Sequence, residues 1–271
     1  MKISFLKMHG AANDFVVIDH RRPFLPGDLG PLVRSMCDRR RGVGADGLLL
    51  LEASPNQDFT MSYWNSDGHA ADFCGNGARC LARHALDLGL GREGRVRFTT
   101  DAGVMEARQD PEGGGIELTF GHVGTPGEPQ ELSAGGRSFR GRLVRPGVPH
   151  FVVPVERVEW VPVKEWGAAL RHHPAFEPTG ANVDFVARLG PRRVAMRTYE
   201  RGVEDETMAC GSGAMAAALC AAADGESAPV AVMTAGGDVL QVGLEAEDGG
   251  QRVTLTGPAE VSFRGEWTEG A

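Results

Sequence analysis

Two cysteines, Cys74 and Cys210, stand in stretches of the chain that share one pattern of residues and spacing. Each follows a tyrosine by eleven residues, Tyr63 or Tyr199, and opens a Cys-Gly-x-Gly-Ala run. The cysteines lie 136 positions apart (210 − 74), about half of the 271 residues. A duplicated fold with one thiol per copy can bring two thiols to opposite sides of one carbon. One thiol could then remove a proton while the other returns one.

The repetition extends on both sides of the cysteines. Upstream, the run 10–15 is similar to the run 180–185, because both combine a glycine turn, an asparagine and a final phenylalanine. Downstream, the run 98–103 is similar to 232–237. A period this long is unlike that of a solenoid, so we interpret the chain as two homologous domains.

Two helices follow the cysteines directly. Residues 75–88 form one apolar stripe and one charged stripe, and Gly89 ends the pattern. Residues 211–223 are apolar on all sides, which predicts a helix buried at the centre of its domain. Unpaired N–H groups and the dipole at a helix N-terminus favour an anion, either the thiolate or a substrate carboxylate.

Short apolar runs bounded by turn residues predict strands elsewhere, at 15–18, 47–51, 152–153 and 194–196. The segment 121–142 is rich in Gly, Pro and polar residues, and we place the domain junction at its start. The prediction is an α/β (α+β) fold of two pseudo-symmetric domains, 1–121 and 122–260. It allows the final strand, about 261–271, to return to the first domain.

Composition excludes several classes of protein. The net charge is −8 and no basic stripe is present, so nucleic-acid binding is not expected. The triplet 39–41 is all arginine, which we interpret as a solvated helix end, with a turn beside a small anionic group as the alternative. No window approaches a membrane span and no targeting segment is visible. Five cysteines, an odd number, argue against a disulfide scaffold, so we expect a cytoplasmic protein with reduced thiols.

The other three cysteines differ from Cys74 and Cys210. Cys80 and Cys220 lie inside the predicted helices without a glycine pocket, which predicts that they are packing residues, and Cys37 lies outside both motifs. Cys80 and His84 have an i, i+4 spacing that could bind zinc, but no second ligand pair accompanies them. We therefore predict no metal site.

Several motifs together resemble one known family. In chain order they are His9-Gly10-Ala11-Ala12-Asn13-Asp14-Phe15, Gly42-Val43-Gly44-Ala45-Asp46-Gly47, Asn65-Ser66-Asp67-Gly68, Cys74-Gly75-Asn76-Gly77-Ala78-Arg79, Tyr199-Glu200-Arg201-Gly202 and Cys210-Gly211-Ser212-Gly213. The order and content are similar to those of the diaminopimelate epimerases. The resemblance implies a cofactor-independent epimerase that interconverts LL- and meso-diaminopimelate, in lysine and cell-wall precursor synthesis. It also implies two domains with mixed sheets wrapped around a central helix, and a homodimer.

The resemblance implies roles for the residues that match. Cys74 and Cys210 match the two acid/base cysteines, and His150 and Glu200 match a pair that flanks the thiols. Backbone donors around the reacting α-carboxylate match Gly75, Asn76, Gly211 and Ser212. Four residues, Asn13, Asn65, Asn182 and Arg201, match side chains that hold the polar groups of the substrate, mostly at its unreacting centre. Glu200 is also among the polar residues expected at that centre.

Three positions depart from the family pattern. Gly47 and Val148 stand where many members have Gln and Asn, which removes two side-chain contacts to the substrate. The run 202–207, Gly-Val-Glu-Asp-Glu-Thr, is one residue longer than the usual Gly-x-Gly-Glu-Thr. The reacting end is unaffected, so the departures concern recognition of the distal end.

Other functions remain open at this point. A pyridoxal-phosphate racemase needs a Schiff-base lysine, and none of the three lysines, Lys2, Lys7 and Lys164, is suitably placed. A proline or hydroxyproline racemase shares the two-thiol logic and the duplicated fold, but has no use for a polar distal pocket. A non-enzymatic thiol redox or metal-binding module would pair the two cysteines or clamp an ion between them.

Overall fold

The structure is a computed structural model that describes residues 1–111 and 113–268. Contacts between residues divide the chain into two compact units. Unit 1 contains the described residues of 1–118 and 257–268, and unit 2 contains residues 119–256. The domain boundaries expected after residues 121 and 260 stay a prediction. Residues 269–271 of the expected final strand lie outside the described residues.

The helices of the described chain are α1 (Gly30–Cys37), α2 (Gly75–Asp87), α3 (Val163–Arg171) and α4 (Gly211–Ala223). The predicted helices at 75–88 and 211–223 are therefore confirmed, the first one residue shorter than expected. Helices α1 and α3 were not predicted from the sequence. Both are short, and proline stands in the first turn of α1 and directly before α3. None of the helices in residues 1–111 and 113–268 is long and apolar enough to cross a membrane.

The strands up to residue 124 are β1 (Lys2–Gly10), β2 (Asn13–Asp19), β3 (Gly47–Glu52), β4 (Phe59–Asn65), β5 (Arg95–Thr100), β6 (Gly103–Gln109) and β7 (Ile116–Gly124). They are followed by β8 (Gln130–Ala134), β9 (Arg137–Val144), β10 (His150–Pro154), β11 (Asn182–Gly190), β12 (Arg193–Glu200), β13 (Asp205–Thr207), β14 (Val230–Met233), β15 (Val239–Glu247), β16 (Gly250–Gly257) and β17 (Glu260–Thr268). The four apolar runs predicted as strands lie in β2, β3, β10 and β12.

In unit 1 a mixed sheet surrounds α2. β17 pairs antiparallel with β1, β1 antiparallel with β2, and β2 parallel with β3. β3 then pairs antiparallel with β4, β4 parallel with β5, and β5 antiparallel with β6. Strands β1 to β6 all contact α2, whose apolar stripe, Ala78, Leu81, Ala82 and Ala85, is completely buried. Burial of that stripe provides the hydrophobic stabilisation that holds the helix inside the sheet.

In unit 2 another mixed sheet surrounds α4. The order of pairing is β8 with β9, β9 with β10, β10 with β11, β11 with β12, β12 with β14, and β14 with β15. The pairs β10–β11 and β12–β14 are parallel and the others are antiparallel. α4 is buried from Gly213 to Cys220. The predicted burial of this apolar helix, and the α/β fold with mixed sheets around central helices, are confirmed.

The two units repeat the same succession of elements. In the order in which the strands pair, unit 1 contains β17, β1, β2, α1, β3, β4, α2, β5 and β6. Their counterparts in unit 2, in the same order, are β8, β9, β10, α3, β11, β12, α4, β14 and β15. Tyr63 and Tyr199 lie in corresponding strands, where they pair with Leu49 of β3 and Val183 of β11. The equivalence of the two tyrosines is therefore consistent with the strand pairing.

One equivalence expected from the sequence is wrong. Asn13 begins β2, whereas Asn182 begins β11, which corresponds to β3. The counterpart of the turn before Asn182 is therefore the turn before Gly47. The runs 10–15 and 180–185 look alike because each is a glycine turn that leads into a buried strand, and such turns draw on few residue types.

Candidate active site

Cys74 and Cys210 occupy the same position in the two units, as the N-cap residues of α2 and α4. Their backbones are extended and nearly identical, with φ/ψ of −139°/117° for Cys74 and −123°/112° for Cys210. Each helix has 13 residues, so each thiol lies where a full helix leaves its first N–H groups without intrahelical partners. Cys210 is buried, while Cys74 is half-buried.

The two glycines of each Cys-Gly-x-Gly motif have different roles. A Cβ atom on Gly75 would meet nothing closer than 3.9 Å, so the first glycine faces open space. On Gly211 it would meet one Leu255 methyl at 3.1 Å. The second glycine is required by packing, because a Cβ on Gly77 would lie 3.0 Å from Leu49 and one on Gly213 only 2.6 Å from Asp184 Oδ1. The backbone at the first glycine is therefore approachable, most openly in unit 1.

In unit 1 a short chain of amides surrounds the Cys74 thiol. Its Sγ lies 3.6 Å from Asn13 Oδ1, which also accepts a hydrogen bond from Asn76 Nδ2 at 3.1 Å. Asn13 Nδ2 donates to Asp46 at 2.7 Å. Asn76 Oδ1 accepts from the fully buried Arg79 at 2.7 Å. The side chains of Asn13 and Asn76 are thus both engaged within the unit.

The arginine triplet supports this chain of amides. It follows the end of α1, as interpreted from the sequence, and the Arg39 guanidinium donates to both Asp14 and Asp46. Burial opposes ionisation of Asp14, yet hydrogen bonds from Arg39 and Lys7 lower the pKa of that carboxyl to about 2. Arg39 therefore holds Asp46, which in turn orients the Asn13 amide.

The environment of Gly47 explains one departure from the family pattern. A Cβ at this position would lie 2.5 Å from the Trp64 carbonyl oxygen and 2.6 Å from the Tyr63 ring. The Tyr63 hydroxyl donates a 2.7 Å hydrogen bond to Oδ1 of Asn65, which is exposed and pairs across the sheet with Gly47. A side chain at position 47 would collide with both the Trp64 carbonyl oxygen and the Tyr63 ring, so the local packing requires glycine there.

In unit 2 the Cys210 thiol begins a chain of hydrogen-bonding groups. Its Sγ accepts from Gly213 N at 3.4 Å and lies 3.5 Å from Ser212 Oγ. Ser212 Oγ is 2.9 Å from His150 Nε2, and His150 Nδ1 is 2.7 Å from Asp184 Oδ2. His150 and Asp184 are completely buried. The structure thus brings together three predicted residues, Cys210, Ser212 and His150, and adds Asp184.

The remaining predicted residues of unit 2 lie beside this chain. Asn182 is buried, its Nδ2 lies 3.1 Å from His150 Nε2, and its Oδ1 accepts from the Arg201 backbone N–H at 2.7 Å. Glu200 accepts from the Thr207 hydroxyl at 2.7 Å. Within residues 1–111 and 113–268 the Arg201 guanidinium forms neither a hydrogen bond nor an ion pair, so it is available to an anionic ligand.

Electrostatics favour the protonated form of Cys210. Burial, followed by the charges of Glu200 and Asp184, raises the pKa of the thiol well above its usual value, against hydrogen bonds from Ser212 and Gly213. Burial also raises the pKa of Glu200, although the bond from Thr207 opposes the shift. These effects favour the neutral thiol form of Cys210.

The other three cysteines are buried, in agreement with the packing role predicted for Cys80 and Cys220. Burial raises the pKa of Cys37, Cys80 and Cys220 to about 12 in each case. Among the described residues no group of three or more His, Cys, Asp or Glu side chains could hold a metal ion. Lys2 and Lys7 lie in β1, and Lys164 lies in the first turn of α3, where it pairs with Asp205 at 2.8 Å.

Removing the charge of Glu200 should make Cys210 more reactive. We expect Glu200→Gln to lower the pKa of the Cys210 thiol, since the carboxylate charge favours the neutral thiol. Alkylation of Cys210 by iodoacetamide, followed by peptide mass spectrometry, should reach half-maximal rate at a lower pH than in the unaltered protein. Glu165→Gln, at an exposed position of the same unit, is the control and should change nothing. An unchanged or higher pH of half-maximal alkylation in Glu200→Gln would contradict the effect of the Glu200 charge on the Cys210 thiol.

Solved structures define the class of fold. The chain superimposes on a PhzF-family phenazine biosynthesis protein of Bacillus anthracis with a TM-score of 0.74 and 12% identity, covering 99% of both chains. It superimposes on a hydroxyproline epimerase of Agrobacterium vitis with a TM-score of 0.69 and 20% identity, covering 98% of this chain and 92% of the other. Identities this low show the fold alone, the two-domain α/β architecture that these proteins share.

Sequence relatives identify the family within that class. The profile of the diaminopimelate epimerases matches residues 5–124 and 142–261. The chain is 40% identical to the diaminopimelate epimerase of Aquifex aeolicus over 280 residues, covering 98% of each protein. It is 39% identical to that of Moorella thermoacetica over 279 residues, covering 97% of this chain and 98% of the relative. The chain belongs to the diaminopimelate epimerase family.

Proposed function

We propose that this protein interconverts LL- and meso-2,6-diaminopimelate by proton transfer at the α-carbon, with Cys74 and Cys210 as the two acid/base groups. The observation that carries the proposal is the matched placement of the two thiols, each the N-cap of a central helix, in a member of this family. The proposed role is a step in lysine and peptidoglycan precursor biosynthesis.

The chemistry requires one thiolate and one thiol. The α-hydrogen of an amino acid is a very weak acid, so the base must be strong yet available near neutral pH. Cys210 is the proton donor in the state described here, because burial favours its neutral form. Cys74 then serves as the base, and the reverse reaction exchanges the roles.

Stabilisation of the developing negative charge is assigned to the helix ends. As the proton leaves, charge spreads into the α-carboxylate, where fixed N–H dipoles stabilise it. We assign this role to the backbone of Gly75, Asn76, Gly211 and Ser212, whose N–H groups lie at the starts of α2 and α4. His150 and Glu200 are proposed to govern the protonation of the thiol in unit 2.

The distal amino-acid centre needs polar partners. Arg201 is the best candidate for its carboxylate, because a guanidinium can donate two parallel hydrogen bonds and this one has no partner within the described residues. Asn65 is exposed and held by Tyr63, so its amide group is oriented for a ligand. Asn13 and Asn182 are proposed to act mainly by orienting neighbouring groups, because their side chains are already engaged.

Three further properties belong to the proposal. We infer a homodimer and a cytoplasmic location, both typical of the family to which the chain belongs. We also infer a reaction without metal or organic cofactor, since a thiolate and a thiol complete the proton balance by themselves.

An epimerisation assay tests the function directly. Freshly reduced protein with no added cofactor should convert LL-diaminopimelate to an equilibrium mixture with the meso isomer. Chiral chromatography measures the two isomers over time. Activity should survive removal of metal ions and should be lost on thiol oxidation. Absence of turnover on diaminopimelate together with turnover of proline would move the protein to the proline-racemase alternative, and a pyridoxal absorbance band would contradict the proposal.

A further inference from the structure

The protonation state of His150 can be deduced from a backbone group. The Arg201 backbone N–H can only donate, so the Asn182 atom 2.7 Å from it must be the carbonyl oxygen. The amide nitrogen of Asn182 therefore faces His150 Nε2 at 3.1 Å. Because that amide nitrogen is a donor, Nε2 must accept and carries no proton. A neutral ring then has its proton on Nδ1.

Asp184 lies where that proton must go. Its Oδ2 is 2.7 Å from His150 Nδ1, and its Oδ1 accepts from the Thr198 hydroxyl at 2.8 Å. Both Asp184 and His150 are completely buried, and Thr198 is buried as well. A hydrogen bond between buried groups, one of them ionised, is stronger than a neutral or exposed one.

The first turn of α4 is shaped around the Asp184 carboxylate. A Cβ on Gly213 would lie 2.6 Å from Asp184 Oδ1, so only glycine permits this approach. Gly213 is also the residue whose N–H donates to Cys210 Sγ. The carboxylate therefore reaches the helix N-terminus, where the macrodipole favours a negative charge. The placement of Asp184 depends on a glycine that the catalytic motif itself supplies.

We propose that Asp184 is a positioning residue that fixes His150 in its Nδ1-protonated form, so that the Ser212 hydroxyl can pass a proton between Cys210 and His150. The thiol S–H bond breaks and its proton goes to Ser212 Oγ, while the proton of Ser212 goes to His150 Nε2. The products are a thiolate, a neutral serine and an imidazolium paired with the Asp184 carboxylate.

The proton relay is proposed to serve epimerisation, and that part of the inference rests on the proposed function. The tautomer of His150 is a property of unit 2 and can be measured without turnover. We expect long-range ¹⁵N–¹H spectra of the neutral ring to show protonated Nδ1 and unprotonated Nε2, with His150→Gln identifying the signal. A ring protonated at Nε2 in the unaltered protein would overturn the proposal.

Asp184→Asn tests the positioning role. Thr198 and the helix end favour an oxygen at the Oδ1 position, so the new amide nitrogen should face His150 Nδ1 as a donor. The ring proton should then move to Nε2, with loss of the hydrogen bond from Asn182. We expect this shift in the spectrum together with a fall in kcat of ~10²-fold or more, the usual range for a positioned acid or base, and a KM within a few-fold. An unchanged tautomer combined with unchanged kcat would refute the role of Asp184.

Ser212→Ala separates relay from positioning, and it serves if Asp184→Asn does not fold. It removes the hydroxyl between Cys210 and His150 but leaves the bond to Asp184, so kcat should fall while the tautomer stays unchanged. Normal kcat in Ser212→Ala would exclude the relay. If the unaltered protein shows the expected tautomer but no epimerisation, the proposed function fails while the assignment of Asp184 and His150 stands.

Discussion

Replacement of either Cys74 or Cys210 with alanine is expected to lower the rate of diaminopimelate epimerisation by ~10²-fold or more, the lower bound usual for a positioned acid or base. In the proposed mechanism each thiol handles one proton of the exchange, so neither can substitute for the other. Steady-state rates in both directions measure the effect. In deuterated water the inverted product should carry solvent deuterium at the α-carbon.

Alanine at Cys37, Cys80 or Cys220 provides the matched controls. These cysteines are buried with thiol pKa values of about 12, so they are neutral packing residues and their variants should stay within a few-fold of the normal rate. Retention of the substrate's own hydrogen in the inverted product would indicate a single base. That result would contradict the two-thiol mechanism.

The second large effect concerns the distal end of the substrate. Arg201→Lys keeps the positive charge but loses the planar pair of donors that matches a carboxylate, so we expect kcat/KM for diaminopimelate to fall by ~10-fold or more. Proline, alanine and lysine should be very poor substrates, because they leave the polar groups of such a site without partners. Rates on the four amino acids measure this selectivity.

Arg252→Lys is the control for that substitution. Arg252 is an exposed arginine of the same unit that pairs with Glu247 at 3.0 Å, and its replacement should leave the kinetics unchanged. Normal kinetics in Arg201→Lys, or comparable turnover of proline, would favour the proline-racemase alternative.

Much of the fold was predictable because its signals are local. The stripe of α2 and the all-apolar run of α4 each specify a buried helix from a few consecutive residues, and the duplicated cysteine motif identifies two related halves. Helices α1 and α3 were not predicted because helices of eight or nine residues, with proline in or directly before the first turn, show little hydrophobic periodicity. The false equivalence of Asn13 and Asn182 has a related cause, since turns that precede buried strands reuse the same few residues.

The candidate site was predictable only in part. Cys74, Cys210 and their glycines follow from spacing, and His150, Glu200 and Arg201 follow from the family resemblance. Asp184 was missed as a functional residue, although its position two residues after Asn182 in a strand places both side chains on one face. What the sequence could not show is that the carboxylate lies under Gly213, because that contact joins residues 29 positions apart (213 − 184).

The position of β17 has a consequence for synthesis of the chain. Unit 2 is continuous in sequence, but β1 of unit 1 pairs with both β2 and β17, and β17 begins at Glu260. About 250 residues separate the two partners, so at ~5–20 residues per second β1 waits roughly 10–50 s on the ribosome with one edge unpaired. An open edge with free N–H and C=O groups is a template for wrong pairing. The half of the protein made first is therefore the last able to close its sheet, and a nascent chain arrested before Glu260 would expose that edge to chaperones and to other nascent chains.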